Sequence, residues 1–318
     1  MQGNLRAAIA WILCCGGLLA AGCGLEENVP VATSRSTPAN QVRHVAPRHA
    51  GFIKVASFNI QVFGTSKLHK TNVMQVLASV VRQFDVVAIQ ELRSKDPTVM
   101  DQFVRMINAT GGHYRYEIGP RLGRTSSKEQ YVYVYDATRI EVVPGSVYTV
   151  PDPDDLLHRE PLVASFRVRG PPPERAFSFT LVNIHTDPDE VDMELAALDD
   201  VFRSVRQHGT EDDIILLGDL NADERHLGEL GAVRNIMWAV SGATTNTRGT
   251  KSYDNILFDA SSTVEYTGHW GVLDLMSQFQ LTEQEALRVS DHLPVWAVFA
   301  AEENQHAGPL AARPTARE

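Results

Sequence analysis

The sequence predicts a layered domain of mixed α and β structure, α+β or α/β. Three observations carry this: apolar runs of strand character recur, helical periods lie between some of them, and one strand–helix–strand pattern occurs twice. The strand-like runs are 52–58, 86–89, 131–135, 163–168, 177–182, 214–217, 256–258 and 295–299. After the first, Val73, Leu77, Val80 and Phe84 fall at i, i+4, i+7 and i+11, one face of a helix. A stronger helical face carries Val191, Leu195, Leu198, Phe202 and Val205. For that helix Asp187 reads as N-cap, Pro188 as the first helical residue and Glu190 as the capping-box partner. Pro171-Pro172-Pro173 lies between two strand runs and reads as a hairpin loop. In the repeat, a strand ending in Asn59-Ile60 leads through a helix to Asp-Val-Val-Ala-Ile-Gln-Glu at 85–91. The second copy runs from Asn183-Ile184 to Asp-Ile-Ile-Leu-Leu-Gly-Asp at 213–219. Two such units packed face to face bring Glu91 and Asp219 to one rim.

The 318 residues are 43% hydrophobic and 21% charged, which excludes a wholly disordered, collagenous or membrane-bundle chain. The net charge of -10 argues against a nonspecific nucleic-acid coat, but leaves room for an enzyme that meets nucleic acid through a metal ion. The three cysteines are Cys14, Cys15 and Cys23, so no disulfide framework and no cysteine-bearing zinc site lies beyond Cys23. Residues 1–22 read as an export signal: Arg6, an apolar stretch from 7 to 21, then Ala20, Ala21 and Gly22 before Cys23. The stretch falls short of the ~20 residues of a spanning helix. Its ending resembles a bacterial lipoprotein signal, which implies lipidation of Cys23, membrane attachment by the lipid anchor alone, and an extracytoplasmic or secreted product. Residues 23–50 read as a linker, 51–300 as one domain and 301–318 as a flexible tail. No obligate protein partner is evident.

Polar and ionisable residues cluster at strand ends, where a layered fold presents its site. Glu91 and Asp219 each end an apolar strand, and a carboxylate there must be solvated, paired or bound to metal. Asn59, His185, Asn221, Tyr253, Asp254, Asp291 and His292 occupy similar places. The set suits phosphodiester hydrolysis. A hard divalent ion takes oxygen ligands such as Glu91 and Asn59, and histidines such as His185 and His292 titrate in the range for proton transfer.

Eight motifs in order make the chain resemble the endonuclease/exonuclease/phosphatase superfamily, within it the deoxyribonuclease I-like branch, over residues 52–299. They are Ala-Ser-Phe-Asn-Ile-Gln-Val-Phe-Gly at 56–64, Ile-Gln-Glu-Leu-Arg at 89–93, Lys-Glu-Gln-Tyr at 128–131 and Arg-Glu-Pro at 159–161. Then come Ile184-His185, Gly-Asp-Leu-Asn-Ala at 218–222, Ser-Tyr-Asp at 252–254 and Ser-Asp-His-Leu-Pro at 290–294. The resemblance implies an α+β four-layer αββα sandwich and a Mg²⁺- or Mn²⁺-dependent endonuclease that cuts DNA to 5′-phosphate ends with little sequence specificity. It implies Glu91 as the main metal ligand with Asn59 beside it, and Asp291 and Asp254 completing the metal and phosphate surroundings. It pairs His292 with Asp219 and His185 with Glu129, with His292 on the water side. Asn221 and Arg159 would meet phosphate, Tyr253 would line the substrate site, and Arg93 would enter the minor groove, whose code is degenerate.

The chain departs from the branch in three places. The family's disulfides are absent, Ser127 replaces a groove-lining Tyr, and a calcium loop reads Ala-Thr-Thr-Asn-Thr at 243–247 without its Asp. A second Ca²⁺ site is implied at Asp152, Asp155 and Glu160. The alternatives are another phosphodiesterase of the superfamily, of sphingomyelinase or phosphoinositide phosphatase type, and a catalytically inactive binding module on the same fold.

Overall fold

The computed structural model describes residues 48–125 and 127–303. The export signal, Cys23, most of the linker and the tail from 304 lie outside the described residues. In chain order the elements are β1 (Phe52–Phe63), α1 (Thr65–Leu68), α2 (Thr71–Val81), β2 (Val86–Leu92), α3 (Val99–Asn108), β3 (Tyr114–Ile118), β4 (Gln130–Asp136), β5 (Ile140–Val142), β6 (Tyr148–Thr149) and β7 (Leu162–Val168). They continue with β8 (Ser178–His185), α4 (Val191–His208), β9 (Ile214–Asp219), α5 (Gly228–Ala232), β10 (Ile236–Trp238), β11 (Asp254–Asp259), β12 (Tyr266–Val272), α6 (Leu275–Phe279), α7 (Glu283–Val289) and β13 (Val295–Ala300).

Six strands form one sheet in the order β12-β13-β1-β2-β4-β3. The other runs β10-β11-β9-β8-β7-β5, with β6 paired to β7. The repeat in the sequence is the centre of each sheet: β1 and β2 pair in parallel across α2, and β8 and β9 pair in parallel across α4. Both central pairs are buried on two faces, which is why they read as unbroken apolar runs. In β9, Ile215 and Leu217 face the first sheet's core while Ile214 and Leu216 face the α4 side with Leu195, Leu198, Phe202 and Val205. On the other side, Val73, Met74, Leu77 and Val80 of α2 and Phe103 of α3 bury against the first sheet. The layers are therefore α, β, β, α. Each fully buried Leu or Phe in these faces contributes roughly 1.5–3 kcal/mol.

A polar bridge crosses between the sheets. Gln90 Nε2 donates to Asn183 Oδ1 at 2.7 Å, Asn183 Nδ2 donates to the carbonyls of Ile89 and Val132, and the Tyr133 hydroxyl donates to Leu181 O at 2.9 Å. Gln90 and Asn183 have no exposure, so every such bond replaces one to water and fixes how the sheets face each other.

The start of α4 differs from the sequence reading. The helix begins at Val191, its N-cap is Glu190, and no side chain caps it. Asp187 instead opens a turn closed by Glu190 N to Asp187 O at 3.0 Å, and its carboxylate lies 3.4 Å from His158 Nδ1. The Glu190 carboxylate turns outward to Arg124 at 2.7 Å. Asp187 Oδ1 accepts from Asp189 N at 3.0 Å inside that turn, and Arg124 has taken the Glu190 side chain, so neither caps the helix.

Candidate active site

The parallel register places His185 beside Asp219, and the antiparallel one places Asp219 beside Asp254. Three side chains from β8, β9 and β11 thus meet at one rim. Close approach of the strands depends on Gly218: a Cβ there would lie 1.8 Å from Ile184 O. His292 joins them from the segment before β13, positioned by its backbone N donating to Ser290 Oγ at 3.0 Å. Ser290 Oγ in turn donates to Asn59 O at 2.7 Å and ties this segment to β1.

Asp219 is the hub. Its Oδ2 lies 3.5 Å from Nε2 of His185 and 3.5 Å from Nε2 of His292, and accepts from Asn59 Nδ2 at 3.0 Å. The Nδ1 atom of each imidazole is held by another carboxylate: His185 by Glu129 at 2.8 Å, His292 by Asp254 at 2.9 Å. The hydrogen-bonded partner of His292 is therefore Asp254, correcting the expected pairing with Asp219. Thr245 Oγ1 donates to Asp254 Oδ2 at 2.6 Å and Thr247 Oγ1 to Ser290 O at 2.7 Å. The loop that lacks the family's calcium Asp thus serves to hold the His292 pair.

Burial opposes protonation of His292, but Asp254 and Asp219 override it and push its pKa up to about 11. Burial likewise opposes protonation of His185, and Glu129 and Asp219 outweigh it, raising the pKa. Burial alone would raise Glu129; His185, Arg159 and Arg93 hold it below the ordinary carboxylate range. Asp254 is raised by burial and by Asp219, with His292 opposing. Both imidazoles are biased toward the protonated form, so the geometry does not reserve the water side for His292.

Glu91, next to last in β2, stands at φ +64°, and Gln61 and Val62 also adopt left-handed backbone, at φ +45° and +46°. Such angles cost energy in a non-glycine residue and persist where neighbours over-determine them. Here Lys67 does so. Its buried ammonium donates to the carbonyls of Ile60, Gln61 and Val289. Glu91 Oε2 accepts from Val62 N at 2.7 Å and its Oε1 accepts from Asn59 Nδ2 at 3.2 Å. Asp291 and Glu91 both act on the Lys67 charge, and Asp291 on His292. The donors Glu91, Asn59 and Asp291 are all oxygen-bearing, and Asp254 Oδ1 is buried without a hydrogen bond nearby. That unsatisfied oxygen and the hard donor chemistry fit a divalent cation of the Mg²⁺ class.

A cavity of about 310 Å³ opens above the hub, lined by Glu91, Arg93, His185, Asp219, Asn221 and His292 among others. A larger one, of about 810 Å³, lies apart from this rim beside β7 and α4. Asn221 stands at φ +48°, its Nδ2 donating to Thr186 O at 2.9 Å. Tyr253 places its ring 5.8 Å from that of His292. Arg159 is nearly buried and is committed to Glu129 at 3.1 Å and to His185 O; it braces the His185 pair as well as lining the cavity. Arg93 is drawn onto Glu91 and Glu129 at 3.3 and 3.5 Å, and donates to Ser127 Oγ at 2.8 Å. The expected calcium trio does not assemble. Asp152 accepts from Leu157 N, Asp155 pairs with Arg124, and Glu160 joins neither in any carboxylate group close enough for one ion among the described residues.

Sequence reasoning missed Lys67, Thr245, Gln90, Asn183 and His158. Lys67, set among Thr65, Ser66, His69 and Lys70, gives no sign of its burial in the sequence, and neither do the amides.

With the fold, the two imidazole–carboxylate pairs and the Glu91 rim in place, comparison decides the lineage. Residues 56–292 match the Endonuclease/Exonuclease/phosphatase family. The chain belongs to that family. Within it, the chain falls in the deoxyribonuclease I-like branch: it is 34% identical to Deoxyribonuclease-1-like 1 of Chlorocebus aethiops over 254 residues, covering 76% of this chain and 82% of the relative. The Homo sapiens protein of that name is also 34% identical, with the same coverage. Among solved structures, an endonuclease/exonuclease/phosphatase family protein from Bacteroides thetaiotaomicron superposes with a TM-score of 0.55 at 18% identity, over 78% of this chain and 97% of its own. That likeness concerns the fold alone.

Proposed function

We propose that this family member is a divalent-metal-dependent endodeoxyribonuclease that hydrolyses DNA phosphodiesters to 5′-phosphate ends. The observation that carries the reading is the convergence of two carboxylate-held imidazoles on Asp219 beside Glu91. The imidazole on the water side must first give up its proton, so that its neutral Nε2 takes one from the attacking water, while the other, protonated, gives one to the departing 3′-oxygen. Their Nδ1 partners fix the tautomer so that Nε2 faces the reacting phosphate. Glu91, with Asn59 and Asp291, would hold the cation, which polarises the phosphate and stabilises charge on its oxygens. Asn221 and the edge of Arg159 orient the phosphate, and Arg93 faces the groove beside Ser127. DNA as substrate is supported by the names of the relatives.

Purified protein is expected to nick supercoiled plasmid with Mg²⁺ or Mn²⁺, to stop in excess EDTA, and to leave ends that a ligase joins without kinase treatment. Full activity in EDTA, or turnover of sphingomyelin or a phosphoinositide with plasmid left intact, would reject the reading.

A further inference from the structure

At the rim opposite the candidate active site, three carboxylates converge: one oxygen each from Asp213, Glu265 and Glu303 lies within 4.8 Å of the others. They belong to different sheets. Asp213 immediately precedes β9, while Glu265 precedes β12 and Glu303 follows β13. Since β9 runs six residues from this rim to Asp219, the cluster stands about 20 Å from the hub at ~3.3 Å per residue.

Two further observations mark the cluster as incomplete. Asp213 is 4% exposed, and its Oδ1 is buried without a hydrogen bond. The hydroxyl of Thr263, a residue with no exposure, lies against that carboxyl, and it too is buried without a well-formed hydrogen bond. Buried polar atoms left so are rare because each forfeits its water without replacement.

The second observation comes from the internal repeat. Asp85 stands before β2 as Asp213 stands before β9. Asp85 is answered by two guanidinium groups, Arg139 at 2.7 Å and Arg48 at 3.3 Å. Among the described residues no lysine or arginine pairs with Asp213 or Glu303. Where the first copy receives two cations from the chain, the second receives further carboxylates.

We propose that this rim binds a divalent cation of the calcium type, held by Asp213, Glu265 and Glu303 with the Thr263 hydroxyl, and that the ion clamps the two sheets together. The ligands are hard oxygens, as this ion requires, and bidentate carboxylates with waters complete a shell of about six to eight. Mg²⁺ fits less well because it demands a tight octahedron and gives up its waters reluctantly.

The test is calcium-dependent thermal unfolding of the Glu91→Gln protein, in which the active-site end no longer offers its main carboxylate, alongside calorimetric titration with CaCl₂. Saturating Ca²⁺, at ~100 times the dissociation constant, is expected to raise Tm by about 5–10 °C. Adding Asp213→Asn should abolish both the shift and the titration heat while the metal-free protein stays folded, because Asn keeps the shape and removes a charge. Glu303→Gln, at a half-buried position, provides the same comparison should the first variant fail to fold. A Tm that ignores Ca²⁺ in the Glu91→Gln protein overturns the proposal and leaves a proton-sharing carboxyl cluster. A Ca²⁺ shift that survives both substitutions also overturns it.

Discussion

At the scale of single residues, the partner of His292 matters most. Sequence order places Asp291 next to His292 and Asp219 in the strongest motif, but neither fact says which carboxylate meets Nδ1. Register decides: Asp219 pairs across β9 and β11 with Asp254, so a ring that reaches Asp219 with Nε2 meets Asp254 with Nδ1. The expected pairing of His185 with Glu129 is present, whereas the partner of His292 was not legible. Arg159 illustrates the same limit, since its charge suggests phosphate while its burial commits it to Glu129 and His185 O. Asp254→Asn keeps the shape and removes the charge that holds the imidazolium. We expect turnover to fall by roughly 10²–10⁴, the scale of a misplaced general acid or base, and the His292 pKa, read by NMR titration, to drop from about 11. Turnover within a factor of ~3 of wild type would return the partnership to Asp219.

At the scale of elements, all eight strand runs read from the sequence are present, and five strands went unread. These are β3, β5, β6, β10 and β12, and every one lies at a sheet edge or beside it. An edge strand needs no continuous apolar run, because one side meets solvent or a loop. In β12 the sequence Tyr-Thr-Gly-His-Trp-Gly-Val shows only partial burial. The irregular end of β1 was equally hidden, since its two left-handed residues, Gln61 and Val62, leave no compositional trace. Lys67 holds that end, and burial lowers its pKa to about 8 against the pull of Glu91 and Asp291. Lys67→Met leaves three carbonyls without their donor. Loss of roughly 2–4 kcal/mol in urea unfolding is expected, as for a buried charge with its hydrogen bonds removed, with a higher Mg²⁺ requirement for nicking. A loss below ~0.5 kcal/mol with an unchanged Mg²⁺ requirement would show that the strand end holds itself.

At the scale of the whole molecule, the repeat sets two like units face to face, and their ends differ in charge. The active rim opposes carboxylates with two imidazoles and two arginines, whereas at the far rim Asp85 has two arginines and Asp213 stands among further acids. Burial raises Asp213 to about 9, Glu265 adding to it, and burial raises Glu303 to about 7. The unfolded chain releases these protons near pH 4. Between there and the folded values the folded state binds more protons than the unfolded one, so stability must fall as pH rises. In calcium-free buffer Tm is therefore expected to decline from about pH 5 to about pH 9. Asp213→Asn should remove the share of that slope that Asp213 contributes, because an amide has no proton to lose, and leave what Glu303 and His292 add. Calcium should do the same from the other direction, by favouring the ionised carboxylates in the folded state. A Tm that holds level or rises over this interval in EDTA, or an Asp213→Asn profile parallel to wild type, would show that these acids ionise as freely folded as unfolded. The far rim would then be an open, hydrated surface with no strain for an ion to relieve.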